Sequence, residues 1–309
     1  MIHERNFMLN QTHTTMKESK SKLVPVASRN DICFPVEVRR NPRRTNSEYS
    51  KVVVGTIGGA EWDLNYCSPV YALIPNSEVF PKIEDLFNLH NVQFKANYSH
   101  IGHVRFYAQY IIEDKNFAHK FLGTNDVIKF KWHQQMSYNG KTKLMGWGGF
   151  YRQICTNGLM IPCAELKQFN LSVGGKHTES IRVHLATIDA MLTNLVNNYS
   201  EVSKAIISKY ELLGGRMVTD PKDRVKEVLN AVGITAVENS KFNTINDIVL
   251  RITDELKKPD MRGYNGLISD WLVYNGINQY INDNDRNSTL PELRAVTDSR
   301  VLEYMLENV

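Results

Sequence analysis

Residues 125–163 read NDVIKFKWHQQMSYNGKTKLMGWGGFYRQICTNGLMIPC, and the alternation near their start decides the fold class. Ile128, Phe130 and Trp132 fall on every second position, with Lys129, Lys131 and His133 between them. A period of two sends the apolar set to one face of a strand and the basic set to the other. Asn139-Gly140 supplies two residues able to take the positive φ angles of a type I′ turn, so Ser137 to Lys141 reads as a hairpin connection. The returning strand, roughly Thr142 to Trp147, runs into Gly146, Gly148 and Gly149, which weaken a strand and permit a bend or a close backbone approach. Beyond them, Phe150, Ile154 and Leu159 are spaced for a short buried helix. The outer face has two readings. It is a basic, solvated surface over a packed inner face, or a groove in which Lys129, Lys131, Lys141, Lys143 and Arg152 hold an anionic polymer.

Upstream, the same meander extends backwards. Gln93 to Ser99 and His103 to Ile112 read as two strands around a turn at Gly102. Val104, Phe106, Ala108 and Tyr110 alternate there with Arg105, Tyr107 and Gln109. An outer face bearing Arg105 and Tyr107 has the composition on which single-stranded bases stack, and it is also common on plain antiparallel sheets. His100 and His103 lack the helix and acidic partner of a zinc site and read as turn residues. Ser77 is placed to cap a helix whose stripe is Val79, Ile83, Leu86 and Phe87. Val52 to Ile57 reads as a strand ended by a turn at Gly58-Gly59. Arg39, Arg40, Arg43 and Arg44 surround Pro42 without an apolar period. They suit a solvated loop, or phosphate contact through guanidinium groups. Residues 1–22 are polar enough to predict a mobile tail.

Downstream, from Glu179, the period becomes helical. Ile181, Leu185, Ile188, Leu192, Leu195 and Tyr199 form a stripe that continues through Val202, Ile206 and Leu213 to Gly214-Gly215. Asp220-Pro221 is a cap followed by proline at the first helical position. Asn243 or Thr244 opens the next helix, Leu267 to Ile281 marks another, and Pro291 to Leu306 the last. The predicted class is therefore α+β. An antiparallel meander with flanking helices occupies residues 23–170, and a mostly helical module occupies 171–309.

Composition narrows function without naming it. The chain has 309 residues, a net charge of +4 and four cysteines without CxxC spacing, which suits reduced thiols in a cytoplasm. No apolar run approaches a membrane span. The basic balance permits nucleic-acid binding, which depends on clustering. Residues 174–178, GGKHT, lack the leading glycine and preceding hydrophobic strand of a phosphate loop. Cys155 near Arg152 has no identifiable histidine partner and reads as structural. No nucleophile, base and oxyanion donor assemble, so no catalytic residue, metal or cofactor is expected.

Three segments together carry a family resemblance. Gln134-x-Met136-Ser137-Tyr138-Asn139-Gly140 followed by Gly149 to Leu159, with Cys155-Thr156-Asn157-Gly158-Leu159 inside it, resembles the N-S-Y-D-G … F-R-x-x-C-T-N-G-L core of a phage and plasmid family. Lys176-His177-Thr178 is similar to that family's basic-His-Thr step, and Trp271-x-x-Tyr274-Asn275-Gly276 to its W-x-x-Y-N-A helix. The family is the phage/plasmid-like proteins grouped as domain of unknown function 932, and the likeness covers roughly Val52 to Asp283. Met136, Asn139, Gly276 and Asn278 depart from its usual Asn, Asp, Ala and Thr. The family carries no established activity. The resemblance implies a phage or plasmid origin among DNA-processing genes, in the host cytoplasm or the virion. The order of elements is also similar to that of phage strand-annealing proteins. The expectation is a non-enzymatic protein that binds single-stranded DNA or RNA and forms homo-oligomers. Arg39, Arg40, Arg43, Arg44, Arg105, Tyr107, Lys129, Lys131, Tyr138, Lys141, Lys143, Arg152, Thr156 and Asn157 are its expected contacts. A structural or host-interaction protein is the alternative.

Overall fold

Alternating strands that bury one face need a second layer, and the first helix and the C-terminal helices supply it. A computed structural model describes residues 14–15, 23–41, 48–120, 127–152, 172–175, 181–238, 243–285 and 291–307. The expected α+β class holds, with strands in the N-terminal half and helices after it.

Two sheets form. The smaller takes β1 (Thr14–Thr15), β3 (Val36–Arg40), β4 (Lys51–Ile57) and β5 (Ala60–Cys67) in the order β1-β5-β4-β3. The larger has seven strands: β2 (Val24–Val26), β6 (Phe94–Ile101), β7 (Arg105–Ile112), β8 (Ala118–Lys120), β9 (Val127–Ser137), β10 (Leu144–Arg152) and β11 (Ser172–Gly175). Its main path is β11-β10-β9-β7-β6-β2, and β8 pairs with the start of β9. All its pairings are antiparallel. The helices are α1 (Asn76–Leu89), α2 (Ile181–Gly215), α3 (Pro221–Ala231), α4 (Thr244–Leu256), α5 (Asp270–Asp285) and α6 (Pro291–Glu307).

Several local expectations change. The Asn139-Gly140 connection is not a type I′ turn: Gly140 has φ +67°, but Asn139 does not reach positive φ. Instead Ser137 Oγ bonds both the carbonyl and the N–H of Thr142, at 2.7 and 3.1 Å, and holds a six-residue loop. The two-residue turn with paired positive φ values lies at Gly58-Gly59, where Ile57 pairs directly with Ala60. Arg39 and Arg40 belong to strand β3, because Val36 and Val38 turn inward toward the core, not to a loop. Ser77 is not a cap; it lies inside α1, which starts at Asn76 after Pro75. Phe150 continues strand β10 opposite Phe130, so the helix expected there does not begin at Phe150; Ile154 and Leu159 lie outside the described residues. Residues 172–175 extend the sheet, which rules out a phosphate loop at Gly174-Gly175 and moves strand structure past residue 170. Of the expected mobile tail only Thr14–Thr15 is described, paired parallel with β5.

The even-numbered residues of β9 face the core. Phe130 and Trp132 are fully buried there, and α1 covers the neighbouring strands through Val79, Phe80, Ile83 and Phe87. Phe87 meets Phe94 and Tyr110 at 5.2 and 5.3 Å between ring centroids. Gly146 is required by this packing, since a Cβ there would lie 2.2 Å from Trp132 Cζ2. Helix α2 joins the helical part to the sheet: Tyr199 packs on Phe117 and Phe150, and His90 Nε2 lies 2.9 Å from Asp189 Oδ1. Buried apolar residues run as one cluster from Ile32 to Met305.

Caps follow the sequence closely in the C-terminal part. Asp220 accepts from the N–H groups of Lys222 and Asp223, and Asn243 from that of Asn246. Gly276, where the resembling family favours Ala, lets α5 approach α4: a Cβ would lie 2.5 Å from Ile252 Cγ1.

Candidate nucleic-acid interface

The larger sheet has a second face, turned away from that core. Strand register assembles it row by row. Lys95, Ile111, Lys131 and Gly149 align across β6, β7, β9 and β10; Asn97, Gln109, His133 and Trp147 form the next row; Ser99, Tyr107, Gln135 and Met145 the one after. Arg105 and Ser137 lie at one end, and Lys129 beside Ala118, with Lys120 opposite Val127, at the other. The chain has 33 acidic residues, yet none lies in the seven strands of this sheet. The smaller sheet holds Glu37, Glu61 and Asp63.

Exposure is graded along the face. Lys95, Asn97 and Lys120 are exposed, and Lys129, Gln109 and Ile111 half-buried. Toward the centre Lys131, His133 and Gln135 are 2–4% exposed, so the solvated basic surface expected from alternation is corrected here. Lys131 Nζ donates to Gln109 Oε1 at 3.3 Å. Burial pulls its ammonium down from 10.5 to about 8. Burial first, and the Lys131 charge second, hold His133 well below the usual imidazole range, so its ring is neutral at pH 7. The His133 ring stacks on the indole of Trp147 at 5.4 Å with 9° between planes. Trp147 and Met145 form an apolar cluster separate from the main core.

The expected contact residues divide accordingly. Lys129 and Lys131 share this face with Arg105 and Tyr107, but Arg105 and Tyr107 are also buried. Neither Lys131 nor Tyr107 is open to a polymer in this conformation. Tyr138 is corrected outright. It is fully buried, its Oη accepts the N–H of Asn76 at 2.9 Å at the start of α1, and its ring packs on Phe106. Arg39 is committed to Glu61 through two bonds of 2.7 Å and to Glu37 at 2.6 Å. Arg40 is exposed on the smaller sheet, and Lys141 and Lys143 are exposed on the β9–β10 loop. Arg152 ends β10 opposite Ile128. Arg43, Arg44, Thr156 and Asn157 lie outside the described residues. Alternation alone did not single out Lys95, Asn97, Gln135 or Trp147, because only cross-strand register brings them beside Lys131 and Gln109.

Elsewhere the titratable groups look structural. His100 and His103 stack at 3.8 Å, and burial first, then the neighbouring ring, lowers His100 to about 4. Burial pushes the Cys33 thiol up to about 11, which makes it a poor nucleophile at neutral pH. Among the described residues, no group of three His, Cys, Asp or Glu side chains is placed to hold a metal ion, and no helix is long and apolar enough to cross a membrane. No family model, curated protein or solved structure matches this chain.

Proposed function

We propose that this is a non-enzymatic phage- or plasmid-encoded protein that binds single-stranded nucleic acid across the second face of its larger sheet. The observation that carries the reading is a sheet with the exposed Lys95 and Lys120 and the half-buried Lys129 on one face and no carboxylate in any of its strands. A strand of nucleic acid is a line of phosphates, and strands without carboxylates add no repulsion toward it. The exposed and half-buried lysines neutralise phosphates at the Lys95 and Lys120 ends, while Asn97 and Gln109 offer amides to sugars and bases. The phage or plasmid setting rests on the Cys-Thr-Asn-Gly-Leu and Trp-x-x-Tyr-Asn resemblances. Recombination, strand annealing or replication in a host cytoplasm, by a homo-oligomer, is the role that follows from it.

Fluorescence anisotropy with a labelled single-stranded oligonucleotide, at several salt concentrations and against a duplex control, tests the reading. Wild type binds the single strand with an affinity that falls steeply with salt. The triple variant Lys95→Ala/Lys120→Ala/Lys129→Ala flattens the log–log salt slope by about 2, at roughly 0.7 per lost phosphate contact. No binding at low salt refutes the proposal.

A further inference from the structure

An edge strand carries backbone groups that its own sheet leaves unused, and β3 is the edge this molecule protects least. Among the described residues the two sheets end on β1, β2, β3 and β11. β1 has two residues, β2 has three with Pro25 in the middle, and β11 has four; β3 has five and no proline within it. Short strands and prolines are common means of keeping an edge from pairing.

The bonds to β4 fix which groups of β3 point outward. Thr56 N–H donates to the Pro35 carbonyl at 2.9 Å, and Asn41 N–H to the Ser50 carbonyl at 2.8 Å. These are hydrogen-bonded pairs of an antiparallel ladder, so Glu37 and Arg39, in step with them, bond Val54 and Val52. Val36, Val38 and Arg40 therefore turn their N–H and C=O groups away from β4. No other strand pairs with them among the described residues. The side chains of Val36 and Val38 pack on the core. Those of Glu37 and Arg39 share the opposite face and are 57% and 39% exposed.

The order of the charges selects the partner. Outward groups bond only outward groups, so a second copy pairing antiparallel about a two-fold axis has three registers that join three or more residues of β3. They are centred on Glu37, Val38 or Arg39. Centring on Glu37 sets that carboxylate against its own copy, and centring on Arg39 does the same with the guanidinium. Centring on Val38 pairs all five residues, with Val36 bonding the partner's Arg40 and Val38 the partner's Val38. It also puts each Glu37 opposite an Arg39 at a non-hydrogen-bonded site, where side chains of opposed strands stand closest. The strand is self-complementary in this register alone.

We propose that β3 pairs with β3 of a second copy, centred on Val38, and joins two four-stranded sheets into one across a two-fold axis. A strand of another protein must match the same succession of charges, whereas a copy does so by symmetry. This deepens the homo-oligomer of the proposed function and rests on that part of it, while nothing in it depends on nucleic acid.

Sedimentation velocity of the full chain across the micromolar range, without nucleic acid, tests the interface. Wild type runs as a dimer that dissociates on dilution. Glu37→Arg sets a guanidinium against Arg39 at both symmetric sites, and Arg39→Glu sets a carboxylate against Glu37. Each weakens self-association about tenfold or more, since two attractive pairs become two repulsive ones. Mixed together, the two variants form a one-to-one dimer, because every pair across the axis is again of opposite charge. Variants that have merely lost stability do not recover in this way. Val38→Pro removes an outward N–H that β4 does not use, so it gives a folded monomer. It carries the test if Arg39→Glu, which also loses the bonds to Glu61, fails to fold. Wild type that stays monomeric throughout overturns both this interface and the homo-oligomer, and leaves single-strand binding to its own assay. An oligomer unchanged by Glu37→Arg and Val38→Pro, or folded variants that do not recover on mixing, overturns the interface alone.

Discussion

Lys131→Met should stabilise this protein, and the gain should vanish as pH rises. The lysine is 4% exposed, and its ammonium is pulled from 10.5 to about 8 by burial. A folded-state value below the unfolded one means that the unfolded chain binds more protons between the two. The charged lysine therefore opposes folding fully below about pH 8, and the penalty fades as pH climbs to 10.5. Integrating that difference gives a penalty of ~3 kcal/mol at pH 7, ~2 at pH 9 and under ~0.5 at pH 10.5. Methionine has nearly the same length and no charge. It leaves Gln109 Oε1 without this donor, a loss of about 1 kcal/mol. The expected net stabilisation at pH 7 is about 2 kcal/mol, turning slightly unfavourable near pH 10.5. Urea unfolding of wild type and variant at pH 7, 8, 9 and 10.5 measures it. The difference between the two proteins cancels the titration of the buried tyrosines and of Cys33, which is common to both. A variant no more stable at pH 7, or a difference that stays flat with pH, would refute the argument that burial of this ammonium opposes folding.

Two other substitutions probe what holds the sheet. Gly146→Ala places a methyl 2.2 Å from Trp132 Cζ2 and 2.6 Å from Gln134 Oε1. The indole is fully buried with nowhere to move, so thermal or urea unfolding should show a loss of about 3 kcal/mol or more. Tyr138→Phe removes the oxygen that accepts the Asn76 N–H at 2.9 Å and leaves that donor buried. A loss of about 1–2 kcal/mol in unfolding, with single-strand binding unchanged, separates its structural role from the contact role expected from sequence.

What was legible in the sequence was mostly local. The alternation of Ile128, Phe130 and Trp132 gave a strand with a buried side. The Asp220-Pro221 and Asn243 signals marked helix starts, since a cap depends on a few consecutive residues. Local signals also misled where tertiary partners overruled them. Val38 to Arg40 looked like a loop until Val52 and Val53 paired with them, and Asn139-Gly140 was displaced as a tight turn by the Ser137–Thr142 bonds.

The sequence by itself determined the periods, and hence which side chains share a strand face or a helix stripe, because φ/ψ geometry makes that repeat local. Only the tertiary structure decided which strands stand side by side, and so which residues of distant segments meet. Register put Lys95 in line with Lys131 and Trp147 against His133, a matter of pairing between strands far apart in the chain. Burial was likewise decided there: Tyr138 and Lys131 look like surface residues when read along the chain, and packing from other segments takes both out of water.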